Sequence, residues 1–397
     1  MKSIAIIHSN MEIGGAETSL IGMLQTFDYS KVKVTLYLYE KTGSLLSLIP
    51  KQVTVKSAGE KYEALVSPIK TAIKKGHLLI AASRLFAKYF FKIKNTLRHF
   101  TDKGYIYKQY SHFLALPLLP KLEGEYDLAI SFNDPHFILN KKINAKKKIG
   151  WFHTDFSRIR VDENLDEKMW DPLDFVVTVS ENCKKSFDEK HPKLRNKSIV
   201  MENILSKPFV EKRADEFTAD EMKKTDGETV LLSVGRFSQA KNFDNVPEIC
   251  RLLRRQGLHI KWYLVGYGGD EQLIRDKMAE SGMNDYVILL GKKENPYPYI
   301  KACDVYVQPS RYEGKVVTVR EAQILGKPVV ITAFETSASQ LTDGFDGVIV
   351  PMDNEGCANG IAAVLRDEKL QQRLVENTKK TDYTNAAEIE KIYRMVE

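Results

Sequence analysis

Short apolar runs alternate with stretches of helical period along most of the chain. Runs at 4–8, 34–39, 53–55, 128–131, 148–152, 176–179 and 198–201 read as strands in the first half. The second half repeats the pattern at 229–234, 262–265, 287–290, 305–308, 329–332 and 348–350. Strands separated by helical segments argue for parallel sheets with helices on both faces. Two such sets predict an α/β chain of two Rossmann-like domains, with a hinge at 204–208 and a charged helical segment from there to Gly227.

One region breaks the alternation. Residues 68–119 are helical in pattern, basic and aromatic, with Lys74, Lys75, Arg84, Lys88, Lys92, Lys94 and Arg98 interleaved among leucines, phenylalanines and tyrosines. Ten basic residues and one acid, Asp102, fall between 70 and 108. Such a helix reads as a membrane-surface element, or as an insertion packed on its own domain with a solvated charged face. No nucleic-acid module accompanies it, so no nucleic acid is expected. Charge is uneven overall. Residues 1–200 carry 32 Lys+Arg against 21 Asp+Glu, whereas 201–397 carry 27 against 31. The net +7 is thus +11 followed by −4, which implies an anionic partner for the first half.

At 397 residues the chain has room for two domains of ordinary size. Nothing at the start resembles a signal peptide, and no apolar stretch approaches the roughly 20 residues that span a bilayer. The four cysteines are far apart and without C-x-x-C spacing, so reduced, structural roles are expected. Neither D-x-D nor a helical histidine pair occurs, and no metal site is expected.

The chemistry concentrates between 309 and 330, P-S-R-Y-E-G-K-V-V-T-V-R-E-A-Q-I-L-G-K-P-V-V. Apolar residues at helical spacing, then Gly326 and Pro328, predict a short helix starting near Gly314. Its first N–H groups favour an anion. Glu313 would flank that anion, and Glu321 would lie about two turns along. Carboxylates beside a phosphate site suit a polyhydroxy ligand, which points to a sugar nucleotide. By spacing alone the pair also reads as two solvated glutamates. Upstream, Arg236 follows a strand and Lys241 lies across a short loop, which puts two cations at the carboxyl edge of a parallel sheet. Gly14 and Gly15 lie between a strand and a helix, where glycine lets backbone approach a ligand. Gly266, Gly268 and Gly269 form an incomplete dinucleotide fingerprint and read as a turn, and Gly291-Lys292 end the next strand. His153 closes a first-domain strand and faces the ligand edge by the same rule; His8 is a weaker candidate.

The ordered set G-G-A-E at 14–17, S-V-G-R at 233–236 with Lys241, V-G-Y-G-G at 265–269 and D-V-Y-V-Q-P-S at 304–310 leads into Glu313 and Glu321. This set resembles the family-4 retaining glycosyltransferases, with their E-x7-E signature, of the capsular, lipo- and exopolysaccharide biosynthesis type. The resemblance reaches from near residue 4 to near 367 and implies the GT-B fold, two Rossmann-like domains facing each other across a cleft. The implied domains are 1–205 for acceptor, carrying the 68–119 insertion, 206–380 for nucleotide sugar, and 381–397 as a helix crossing back. It implies that Arg236 and Lys241 hold the donor β-phosphate, Glu313 the sugar hydroxyls and Glu321 the ribose. Backbone of Gly314, Lys315, Val316 and Val317 would meet sugar and diphosphate. Gly14 and Gly15 would lie over the diphosphate, Gly266 and Lys292 beside uracil and ribose, and His153 near the reacting sugar. Lys315 and Val316 depart from the pattern, which often has an aromatic and a proline there. Lys315 is expected either to reach an acidic ligand or to be exposed.

The expectation is therefore a retaining hexosyltransferase without cofactor or metal, using a UDP-sugar and a glycan or lipid-linked glycan acceptor. It would be cytoplasmic, and peripheral at the inner membrane face through residues 70–108. A GT-B sugar-nucleotide epimerase or a non-catalytic GT-B-like scaffold are the alternatives. A nicotinamide dehydrogenase is disfavoured by the incomplete fingerprint.

Overall fold

The computed structural model describes residues 1–12, 14–98, 104–133, 135–222 and 224–397, with backbone alone at 93–98 and 158. The side chains of Lys94 and Arg98, and all of 99–103, which holds Phe100 and Asp102, lie outside the described residues. The chain divides into two compact units, Met1–Ile204 with Ala386–Glu397, and Leu205–Asn385.

Unit 1 holds strands β1 (Lys2–His8), β2 (Val32–Leu38), β3 (Thr54–Ser57), β4 (Glu125–Ser131), β5 (Asn144–Phe152), β6 (Phe175–Thr178) and β7 (Ser198–Val200). They form one parallel sheet in the order β3-β2-β1-β4-β5-β6-β7. Central strands have helices on both faces, so Ile4, Ala5, Ile6, Leu128, Ala129 and Ile130 are all fully buried and must all be apolar. Unit 2 holds β8 (Thr229–Val234), β9 (Ile260–Val265), β10 (Val287–Gly291), β11 (Val305–Gln308), β12 (Val329–Thr332) and β13 (Val348–Val350). Their order is β10-β9-β8-β11-β12-β13, again parallel. Both sheets share the doubly wound order 3-2-1-4-5-6. The winding reverses between β1 and β4 in unit 1 and between β8 and β11 in unit 2. Helices leave in opposite directions at such a point, and the opening at the carboxyl ends is where α/β sheets take ligands.

The 68–119 region forms the helices Ile69–Lys74, Leu78–Arg98 and Tyr105–Ala115. Arg84, counted above with the basic face, is instead buried. Its Nη1 donates to the carbonyls of Ala64 (2.7 Å) and Ser67 (2.6 Å) at the end of the Glu60–Val66 helix, where unpaired carbonyls need donors. At the other end of the chain, the helix Ile389–Val396 buries Ile389, Ile392, Met395 and Val396 in unit 1. Lys391 Nζ donates to the Val200 carbonyl at 2.8 Å, and the Asp28 N–H donates to the Tyr393 hydroxyl at 2.7 Å. All four cysteines are buried and unpaired with one another.

Candidate functional site

Gly235 and Arg236 follow β8 at its carboxyl end, and the segment from Pro309 to Val316 follows β11. Because β8 and β11 are neighbours at the reversal, residues 72 apart in sequence converge. A Cβ at Gly235 would lie 3.1 Å from Lys241 Cε, so the lysine stem lies over that glycine. Its Nζ reaches Glu313 Oε1 at 2.5 Å. The Ser310 hydroxyl donates to the same oxygen at 2.6 Å. Ser310 Oγ in turn accepts from Gln308 Nε2 at 2.9 Å, and Gln308 Oε1 lies 2.8 Å from the Tyr306 hydroxyl. A row of buried polar groups rooted in β11 thus fixes one oxygen of Glu313 and leaves the carboxylate held rather than free to swing. Arg311 clamps the facing loop: its guanidinium forks onto Asp244 (2.8 and 2.7 Å), and its N–H donates to the Ala240 carbonyl at 2.8 Å. Asn242 turns that loop with φ 60°, a conformation asparagine tolerates. Arg236 is exposed and makes no ion pair among the described residues. The site therefore presents one open guanidinium beside an ammonium already shared with a carboxylate, a pairing the spacing did not disclose.

The helix begins later than expected. It spans Val317–Ile324, with Val316 extended (φ −88°, ψ 103°) as its N-cap. Gln340 accounts for the delay. Its Oε1 accepts the Val316 N–H at 2.7 Å and its Nε2 donates to the Val316 carbonyl at 3.2 Å, which holds that residue out of the helix. The Val316 N–H is thereby engaged within the protein. No side chain caps this end, so the first-turn N–H groups from Val317 onward retain the anion-favouring character. Glu321 lies about one turn into the helix, not two. It is 2% exposed, accepts from the Tyr297 hydroxyl at 2.8 Å, and burial raises its carboxyl to about 7. Lys315 is not exposed: it is buried with its ammonium on the Ser339 carbonyl.

Gly266 has φ +155°, and a Cβ there would stand 1.8 Å from the Gly235 carbonyl oxygen. At Gly268 it would meet the Phe237 carbonyl at 2.1 Å. These glycines let the turn after β9 pack directly on the turn after β8 that carries Arg236. Lys292 Nζ stands 5.4 Å from the ring centroid of the half-exposed Tyr267.

In unit 1 the helix Gly15–Thr26 begins at Gly15 with Gly14 as N-cap, and a Cβ at Gly14 would fall 2.2 Å from Glu17 Oε2. The space beside Gly14 belongs to Glu17, whose Oε1 lies 3.0 Å from His8 Nε2. Burial pushes the Glu17 carboxyl up, but the hydrogen bond and charge of His8 outweigh it and leave it below its usual range. His153 follows β5. Its Nε2 lies 2.7 Å from the Phe132 carbonyl, which can only accept, so Nε2 carries the proton and Nδ1 is an acceptor. Burial lowers this imidazole to about 4, so it is neutral at neutral pH. Sequence reasoning passed over Glu17, Ser310, Tyr297 and Gln340. Only Glu17 and Ser310 carried a signal, each lying inside a motif.

Among the described residues no group of three or more His, Cys, Asp or Glu is placed to hold a metal, and no helix is long and apolar enough to cross a membrane. Residues 215–381 match the family described as glycosyl transferases group 1. The chain is similar to the lipopolysaccharide core biosynthesis glycosyltransferase LpsE of Rhizobium meliloti, 29% identical over 38% of this chain and 44% of that one. It is also similar to the N-acetylgalactosamine-N,N'-diacetylbacillosaminyl-diphospho-undecaprenol 4-alpha-N-acetylgalactosaminyltransferase of Campylobacter jejuni, 29% identical over 36% of this chain and 39% of that one. The matched stretches thus span less than half the length of either relative. Among solved structures, Anabaena HepE in complex with UDP and glucose superposes with a TM-score of 0.68 over 99% of both chains at 15% identity. The fold is GT-B, as the motif resemblance implied, and the stretch that matches the group 1 glycosyl transferases, residues 215–381, lies within unit 2.

Proposed function

We propose that this chain transfers a hexose-type sugar from a UDP-sugar to a hydroxyl of a glycan or lipid-linked glycan in polysaccharide biosynthesis, with retention and without a metal. The observation that carries the reading is the convergence of Arg236, Lys241, Glu313 and an uncapped helix start at the winding reversal of unit 2. Such a site suits a diphosphate joined to a sugar. The Campylobacter relative, whose name gives a diphospho-undecaprenol acceptor, supports a lipid-linked acceptor here.

In this reaction the bond from the anomeric carbon to the β-phosphate oxygen breaks as the acceptor oxygen bonds to that carbon from the same face. The acceptor proton passes to the departing phosphate, and UDP leaves. Arg236, Lys241 and the N–H groups from Val317 onward stabilise the charge that builds on the diphosphate. Glu313 and Glu321 bind hydroxyls of sugar and ribose, and are not a glycosidase pair. The Lys241–Glu313 bond makes phosphate end and sugar end one unit, because moving either group moves the other. His153, neutral, offers Nδ1 as a hydroxyl acceptor in unit 1.

A thermal-shift series with UDP, UDP-glucose, UDP-galactose, UDP-N-acetylhexosamines and GDP-mannose tests the donor. UDP and one UDP-sugar should stabilise the protein by about 2.7 kcal/mol at a hundredfold excess over Kd, and Arg236→Ala should abolish the shift. Stabilisation by GDP-mannose alone would overturn the base assignment. Turnover lost to EDTA and restored by Mn²⁺ would overturn the metal-free mechanism. Nuclear magnetic resonance of the product reads the anomeric configuration, and inversion would overturn retention.

A further inference from the structure

The helix Leu78–Arg98 has two apolar sides. One packs inward through Ile80, Ala81 and Ala87, with Arg84 anchored beneath. The other carries Leu78, Leu79, Leu85, Phe86, Tyr89 and Phe90, which are 40% to 71% exposed. At 100° per residue these six fill an arc of roughly 140° on one side of the helix. An outward face of a helix in water is ordinarily polar, and a contiguous apolar strip marks a surface that something covers. Phe86 and Phe90 lie with ring centroids 5.0 Å apart, which makes the strip continuous along its second half.

The charge around the strip identifies the covering phase. Lys88 and Lys92 are exposed on the same helix, and Lys74 is exposed just before it. The helix contains no acidic residue at all. A protein partner could match such a strip with apolar groups alone. A strip of leucines and aromatic rings with Lys88 and Lys92 along one edge, and no acid on its own helix, is instead matched by the anionic headgroups and acyl boundary of a bilayer. We propose that the outward face of residues 78–92 lies in the interface of an anionic lipid bilayer, with Leu78, Leu79, Leu85, Phe86, Tyr89 and Phe90 below the headgroups and Lys88 and Lys92 among them. This docking does not depend on the transferase reading, since it is measured without turnover.

The test is co-sedimentation of the full chain with vesicles of phosphatidylcholine alone and of phosphatidylcholine with phosphatidylglycerol. The protein should pellet with the anionic vesicles at low salt and release as salt rises, because exposed charges are screened over about 10 Å at 0.1 M. Lys88→Gln with Lys92→Gln should weaken binding about 30-fold, from roughly 1 kcal/mol per lysine. Phe86→Ser with Tyr89→Ser should remove binding while leaving thermal unfolding unchanged, since both side chains are exposed. Tyr89→Trp supplies a conservative readout, a blue shift of that tryptophan on adding anionic vesicles. Wild-type protein that stays in the supernatant at low salt would overturn the proposal. So would pelleting without a shift of the Tyr89→Trp probe, or a concentration-dependent dimer that Phe86→Ser with Tyr89→Ser renders monomeric.

Discussion

Lys241 and Arg236 sit side by side after one strand, yet they are different kinds of cation in this site. Arg236 is open, whereas Lys241 already shares a proton-rich contact with Glu313. Removing either charge should lower turnover about 10²–10³-fold, the scale of a lost charge-stabilising donor. The two losses should be distinguishable. Arg236→Ala should act on nucleotide affinity and turnover alone, while Lys241→Ala also takes from Glu313 Oε1 one of its two partners, leaving Ser310, and should change the ranking among UDP-sugars. Steady-state kinetics with two UDP-sugars checks this, and an unchanged ranking would separate Glu313 from sugar recognition. Glu321 makes a second residue-scale prediction. Its carboxyl titrates near 7 in the fold because of burial, against 4.5 for an open glutamate. A raised acid binds its proton more tightly folded than unfolded, so stability contributed by this group is full below about pH 4.5 and falls as pH rises to about 7. Thermal midpoints should show that decline, and Glu321→Gln should flatten it. Ribose hydroxyls favour the ionised form, so binding of a UDP-sugar near pH 7 should release protons. Calorimetry in two buffers of different ionisation enthalpy reads the release, and its persistence in Glu321→Gln would assign it elsewhere.

Turns after strands, more than the strands themselves, build the site. Gly266 approaches the Gly235 carbonyl so closely that no side chain fits, at a φ that also excludes one. Gly266→Ala should cost about 2–4 kcal/mol and weaken nucleotide binding with it, because the turn carrying Arg236 must move. Gly269→Ala, with nothing within 4 Å of the added carbon, should change neither. Equal effects in chemical denaturation would mean the two turns are not coupled. This contrast also shows what was legible beforehand. The parallel sheets were readable because strands buried on both faces leave unbroken apolar runs such as Ile4 to Ile7 and Val305 to Val307. The glutamates and cations were readable because each falls in a short motif. The start of the Val317–Ile324 helix was not, since it is set by Gln340, 24 residues away. Arg84 was misplaced for the same reason: only the tertiary position of the Ala64 and Ser67 carbonyls explains why a charge goes inside.

On the scale of the whole chain, unit 2 is a continuous stretch set inside unit 1. It enters and leaves at neighbouring points, where the Leu205 N–H donates to the Thr384 carbonyl at 2.8 Å. Ending the chain at Asn385 should therefore lower the melting of unit 1, which loses the buried Ile389, Ile392, Met395 and Val396, and leave UDP binding by unit 2 in place. Calorimetric scanning with and without UDP resolves the two transitions, and loss of UDP binding in the shortened chain would refute that independence. The same arrangement orders events on the ribosome. Unit 2 is complete once Asn385 has emerged, while unit 1 waits for Ile389–Val396, which are made after every residue of unit 2. The half that is synthesised first is thus the half that finishes folding last, and during elongation it must keep its apolar seat for the final helix out of unwanted contacts.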